Sequence, residues 1–155
     1  MIQGKEAYPL ETLAARLFML SNESYPNGSP WSEQQFLEDL LNSHSRYLLL
    51  EEAQGLLGFV SFHQVFDEIE IMHVVVKPEV QGQGLGQKLM TALLEVARQE
   101  QQRVIFLEVR QSNQTAQLLY EKNGFVPIIR RKNYYRAPLE DAVMMLKEVR
   151  ETEVK

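Results

Sequence analysis

The residues best suited by type and spacing to do chemistry lie between positions 74 and 88. Three valines, Val74, Val75 and Val76, give way to Lys77 and Pro78; Gln81, Gly82, Gln83, Gly84, Leu85 and Gly86 follow closely. Glycine at every second position lets successive backbone N–H groups turn inward together, which bulkier residues resist. A long amphipathic segment begins at once behind them, so the order is strand, tight loop, helix. A helix N-terminus behind such a loop attracts anions, phosphates above all. The chemistry on offer is capture of a phosphate-bearing ligand. The plainer alternative is a glycine-rich connector that binds nothing.

Two familiar phosphate loops do not match. A Walker loop ends in Gly-Lys-Ser/Thr, but Lys88 is preceded by Gln87 and followed by Leu89. The dinucleotide fingerprint G-x-G-x-x-G needs glycine where Gln87 stands. The pattern that fits is Q-x-x-G-x-G over residues 81–86. The chain has no cysteine, so no disulfide, Cys-ligated zinc or cysteine nucleophile is expected. His44, His63 and His73 lack metal-ligand spacing and read as structural, with no metal expected.

The elements around this loop follow from periodicity. Residues 9–21 carry Leu10, Leu13, Ala14, Leu17 and Phe18 on one helical face. A polar Pro/Gly stretch follows. Ser32 and Gln35 form a capping-box pattern with Trp31 and Phe36 at the staple positions, so a second helix starts at Ser32. Residues 47–51, 56–65 and 68–76 read as three strands joined by short turns, an antiparallel meander. After the glycine loop, Leu89, Met90, Leu93, Leu94, Val96 and Ala97 make one apolar helical face. The continuous apolar run 104–107 reads as a strand covered on both faces, with Glu108 at its end. Asn113 caps a short helix that Gly124 closes. Residues 126–130 and 142–146 read as two last strands, with 131–139 a loop between them. Residues 1–7 add a short first strand. The fold class is α+β: a mixed, mostly antiparallel sheet of six to seven strands with helices on both faces.

At 155 residues the chain reads as one domain over 1–155 with room for a substantial core. Apolar and charged fractions of 45% and 24% are ordinary for a globular protein. No apolar run approaches a membrane span, and residues 1–6 lack the apolar core of a signal peptide, so a cytoplasmic setting is expected. Net charge is −5. That argues against direct nucleic-acid binding and suits a cationic substrate, or merely solubility.

The loop at 81–86 resembles the acyl-CoA pyrophosphate loop of the GCN5-related N-acetyltransferases. Three further stretches, 107–113, 119–125 and 130–135, stand in family order and spacing and are similar to the RimI-type ribosomal-protein-alanine N-acetyltransferase branch. The resemblance covers residues 56–146; before that only residues 30–33 share it. It implies acetyl-CoA as co-substrate. It implies that the backbone of Val74, Val75 and Val76 holds the pantetheine arm like an added strand. It implies that Gly82, Gln83, Gly84, Leu85, Gly86 and Gln87 wrap the pyrophosphate, and that Asn113 contacts the cofactor near its thiol end. Glu108 is then the general base and Tyr120 the general acid. His73 stands where this branch more often has asparagine.

The chemistry is consistent with these types. Acetyl transfer from a thioester needs a neutral amine and a protonated leaving thiol. Glu108 shares strand parity with Val104 and Phe106, and partial burial would suit its carboxylate to accepting a proton. Tyr120 lies four residues after Ala116 on an apolar helical face, as either a core tyrosine or a proton donor. Without cysteine, transfer is expected to be direct, within a ternary complex. Tyr134 and Tyr135 line the acceptor groove or pack in the core. The expected activity is acetylation of a protein N-terminal α-amine, alanine of a basic ribosomal protein. The alternatives are acetylation of a small amine, such as a polyamine or aminoglycoside, and a non-catalytic acyl-CoA-binding module.

Overall fold

The computed structural model describes residues 1–149. The described residues form two compact units: one holds Met1–Gln64 and Met72–Leu93, the other Val65–Ile71 and residues 94–149. Among the described residues seven strands form one hydrogen-bonded sheet. Among the described residues no helix is long and apolar enough to cross a membrane.

The first unit begins with β1 (Ile2–Gln3), paired with β2 (Ser45–Glu52) through Ile2↔Leu50. Between them come α1 (Leu10–Ser24) and α2 (Glu33–Leu40). α1 starts from Pro9 and buries Leu13, Ala14, Leu17 and Leu20, one side of the 3.6-residue repeat. α2 is set by its cap: Gln35 N–H donates to Ser32 Oγ at 3.1 Å, and Ser32 N–H donates back to Gln35 Oε1 at 2.8 Å. Trp31 meets Phe36 edge to face at 5.3 Å, the expected staple. β3 (Gly55–Val65) runs antiparallel to β2 from Ser45↔His63 to Glu52↔Gly55. Leu13, Leu17, Phe36, Leu40, Tyr47, Leu49, Phe59 and Val75 form one buried core. Val75 belongs to β4 (Glu68–Val76). Gly58 has no room for a side chain, because a Cβ there would sit 2.6 Å from the Val75 carbonyl oxygen.

The second unit takes the first part of β4, which pairs in parallel with β5 (Val104–Arg110) over Glu68↔Val104, Ile69↔Ile105 and Glu70↔Phe106. α3 (Leu85–Gln99) supplies the crossover that a parallel pair requires. α4 (Gln114–Lys122) follows, then β6 (Val126–Arg136) and β7 (Leu139–Glu148). β7 lies between β5 and β6, antiparallel to both.

Two expectations are corrected here. β5 extends to Arg110, and beyond Ile105 it is not covered on both faces. Leu107 and Val109 are buried while Phe106, Glu108 and Arg110 are half-buried, so Glu108 sits inside an alternating strand. Residues 131–139 are not a loop: β6 runs through Arg136, with Arg131↔Ala142, Tyr135↔Glu140 and Arg136↔Leu139 in register with β7. β6 is an edge strand exposed at every position but Tyr135, so its charged run has water to face. Register shifts accommodate the irregular stretch around Asn133, whose φ is 53°.

Candidate active site

The expected site residues fall into two groups, one in each unit. The first group is built on backbone. β4 ends at Val76, a 3-10 turn spans Pro78–Val80, and α3 begins at Leu85. Gly82 and Gly84 have φ of 83° and 81°, the left-handed region that disfavours any side chain. A Cβ at either position would meet nothing within 4 Å, so glycine is demanded by conformation while the space outside stays open. Lys88 N–H is the first helical donor, bonding the Gly84 carbonyl at 3.0 Å. The N–H groups of Leu85 and Gly86 stand ahead of it in the first turn, where a helix offers its donors no intrahelical carbonyl. An open loop at the positive end of a helix fits a pyrophosphate. Gln81 ties the loop back to its strand, its Nε2 donating to the Val76 carbonyl at 3.0 Å. Val75 points into the core while Val74 and Val76 are half-buried.

His73, just before these valines, is packed among Trp31, Phe36, Phe59 and Tyr25, with ring centroids 4.4 to 6.3 Å away. Its Nδ1 lies 2.9 Å from Ser61 Oγ. Burial pushes the imidazole down from 6.5 to about 4, so it is neutral near pH 7. His63 is also structural: its Nε2 is 2.5 Å from Asp39 Oδ1, while Ser45 and Tyr47 hydroxyls donate to Asp39 Oδ2 at 2.6 Å.

The second group is built on side chains. Glu108 projects from the half-buried face of β5, and its side chain is 18% exposed. Its Oε2 is buried and accepts no well-aimed hydrogen bond; Arg131 Nε approaches it to 3.1 Å, and the Tyr134 hydroxyl, its pKa raised by burial and then by Glu108, faces the same carboxylate. The two charges are in contact, but the N–H is not aimed at the oxygen. Tyr120 is the one buried residue of α4, its ring 5.7 Å from Phe125. Burial first, and Tyr135 second, push its hydroxyl well above the usual phenol range, so it keeps its proton. Asn113 caps α4 by accepting from Ala116 N–H at 3.1 Å, which leaves its Nδ2 to offer a ligand.

Tyr135, expected in the acceptor groove or the core, joins this group, and so does Arg131, for which the sequence suggests no role. Tyr135 is pushed up to about 12 by burial and then by the charge of Glu108, and it also acts on Tyr120, so it lies near both. Arg110 holds the Tyr135 ring from 4.3 Å. Arg131 is the ion-pair partner of Glu108. The signal for both was the β propensity of adjacent Tyr134 and Tyr135, which marks a strand rather than a loop.

Residues 11–125 match the model of the acetyltransferase (GNAT) family. A protein of Bacillus subtilis (strain 168), provisionally named a [ribosomal protein bS18]-alanine N-acetyltransferase, is 40% identical over 118 residues, 76% of this chain and 78% of its own. The [ribosomal protein bS18]-alanine N-acetyltransferase of Haemophilus ducreyi is 38% identical over 121 residues, 75% of this chain and 81% of its own. The crystal structure of the ribosomal-protein-S18-alanine N-acetyltransferase from Escherichia coli superposes with a TM-score of 0.84 at 27% identity, covering 99% of this chain and 97% of that one. A glycine loop at a helix N-terminus and a carboxylate–tyrosine set thus stand on a fold shared across the whole chain: this chain is an N-acetyltransferase and belongs to the acetyltransferase (GNAT) family.

Proposed function

We propose that this enzyme transfers acetyl from acetyl-CoA to the α-amine of an N-terminal alanine on a ribosomal protein of the bS18 type, with residues 1–155 acting as one transferase domain. The likeness to N-acetyltransferases of that name, over about three quarters of the chain, carries the reading. Acetyl-CoA, the co-substrate of this family, supplies an activated acyl thioester when bound. The N–H groups at the start of α3 and the glycines at 82 and 84 hold its pyrophosphate, the backbone of Val74, Val75 and Val76 holds its arm, and Nδ2 of Asn113 serves its thiol end. Glu108 takes the proton from the acceptor ammonium, and Tyr120 gives a proton to the departing sulfur. The acceptor amine is acetylated directly.

An α-amine suits a carboxylate base. Its ordinary pKa is about 7.7–8.0, against about 10.4 for a lysine side chain, so near neutrality a sizeable fraction is already neutral. A net charge of −5 suits the basic tail of such a protein in a cytoplasmic setting. The test is incubation with acetyl-CoA and a basic peptide beginning with alanine, read by mass spectrometry. Acetyl is expected on residue one, with turnover weakened by added salt as charge steering is screened. Acetyl mainly on internal lysines, or faster turnover of spermidine than of the peptide, overturns the reading.

A further inference from the structure

Glu108 makes its contact with a cation already present in the chain. Arg131 Nε stands 3.1 Å from Oε2, yet that oxygen is buried and accepts no well-aimed hydrogen bond. A buried carboxylate oxygen in this condition is under-satisfied, and a donor able to point at it would bind there favourably. The guanidinium is poorly placed to be that donor. Arg131 is 48% exposed on edge strand β6, and its guanidinium also lies over the Tyr134 ring at 5.9 Å.

Arg110, in the same unit, shows what a fixed guanidinium looks like. It donates to Glu140 Oε1 at 3.2 Å, to the Pro138 carbonyl at 3.0 Å and to the Ala137 carbonyl at 3.4 Å, and it covers the Tyr135 ring. Arg131 is about half exposed to water and has no comparable set of carbonyl acceptors around it among the described residues.

We propose that Arg131 is a displaceable counter-ion for Glu108, and that the acceptor binds by ion exchange, its ammonium taking the place of the guanidinium. This rests on Glu108 being the base. A primary ammonium is a compact cation with three freely rotating donors, so it can aim an N–H at Oε2 where the planar guanidinium does not. Displaced Arg131 remains on the solvent side of β6. The exchange keeps the buried carboxylate paired while the site waits, and it favours acceptors that arrive as a primary ammonium. Arg131 is a positioning residue that acts through Glu108.

The experiment compares Arg131→Gln and Arg131→Lys with the parent, using acetyl-CoA and the alanine-initiated basic peptide. Without the competing guanidinium, Arg131→Gln is expected to lower the peptide KM by about two- to fivefold, the range of a partly exposed ion pair. The KM for acetyl-CoA stays at the parent value. Arg131→Lys returns the peptide KM to the parent value or above it, because its own ammonium competes for Oε2, and methylguanidinium added to Arg131→Gln raises its peptide KM again. In a Glu108→Gln background, calorimetry finds no further gain in peptide affinity from Arg131→Gln. A peptide KM that is unchanged or raised in Arg131→Gln protein of parent melting temperature overturns the exchange, as does methylguanidinium without effect. Failure of the base assignment shows separately, as Glu108→Gln protein that retains its turnover.

Discussion

In the proposed transfer, residues 82–86 and the β6–β7 hairpin differ in what carries the chemistry. In the loop it is the backbone. Positive φ at Gly82 and Gly84 and the first turn of α3 make the proposed ligand surface, and Gln83 contributes an exposed side chain. In the hairpin it is side chains. Arg131 reaches Glu108, and Tyr135 lies near both Glu108 and Tyr120, while the β6 backbone is an ordinary strand paired to β7. A backbone site is written in residue type at fixed spacing. A side-chain site is written in strand register, which short segments of sequence specify weakly.

The sharpest way to break the comparison is to alter backbone chemistry at the loop. Gly84→Asp forces a side chain into the left-handed region and sets a carboxylate beside the phosphate position. Loss of measurable acetyl-CoA binding by calorimetry is expected, in protein whose circular dichroism is unchanged. Gln83→Ala, which leaves the backbone alone, should bind as the parent does. Equal loss in both variants would mean that side chains matter in the loop as well.

In the second unit single functional groups should suffice. Glu108→Gln keeps the shape of the site and removes the base, at an expected cost of about 10²–10⁴-fold in kcat near pH 7 with acetyl-CoA affinity retained. Part of the loss should return at high pH, where the acceptor amine deprotonates unaided. Tyr120→Phe removes one hydroxyl from a buried ring, and a fall of about 10²-fold in kcat is expected, at the low end of proton-transfer effects. A lowered melting temperature with turnover intact would make Tyr120 a packing residue only.

The same division explains what could be read from the sequence. The capping box at Ser32 and Gln35, the staple of Trp31 on Phe36, the cap at Asn113 and the strand–loop–helix at 74–88 are local, and each appears as expected. β4 matches its expected bounds because the turns before and after it are marked by Asp67 and Pro78. The hairpin was hidden because Arg130, Arg131, Lys132 and Asn133 look like a solvated loop, whereas an edge strand tolerates charge at no cost in burial. The place of β7 between β5 and β6 is set by long-range pairing that no short window contains. Glu108 was named through family resemblance. Its partner Arg131 lies 23 positions later and comes into contact only through the registers Glu108↔Met144 and Arg131↔Ala142.

His73 provides the smallest and most selective test, because it is a side chain in the unit whose ligand chemistry belongs to the backbone. Enclosed by aromatic rings, it titrates near 4 instead of 6.5. Its folded-state pKa lies below its unfolded value, so between these values the unfolded chain binds a proton that the folded chain refuses, and stability falls as pH falls. Above pH 6.5 the residue contributes no slope. From pH 7 to pH 5 the expected loss is about 2 kcal/mol, at about 1.4 kcal/mol per pH unit below 6.5. For a chain of this size that is a fall of about 4–8 °C in melting temperature. Asp39 does not confuse the measurement. Hydrogen bonds from His63, Ser45 and Tyr47 outweigh its burial and hold its carboxyl below 3.8, so its contribution is lost only in stronger acid. His73→Asn, which cannot titrate, should be less stable than the parent at pH 8 because it fills less of the aromatic enclosure, yet its melting temperature should fall less steeply from pH 7 to pH 5. Parallel slopes for the two proteins would mean that His73 takes up its proton as readily in the folded chain as in the unfolded one. A flattened slope with unchanged acetyl-CoA affinity would confirm that this histidine serves packing while the neighbouring backbone serves the ligand.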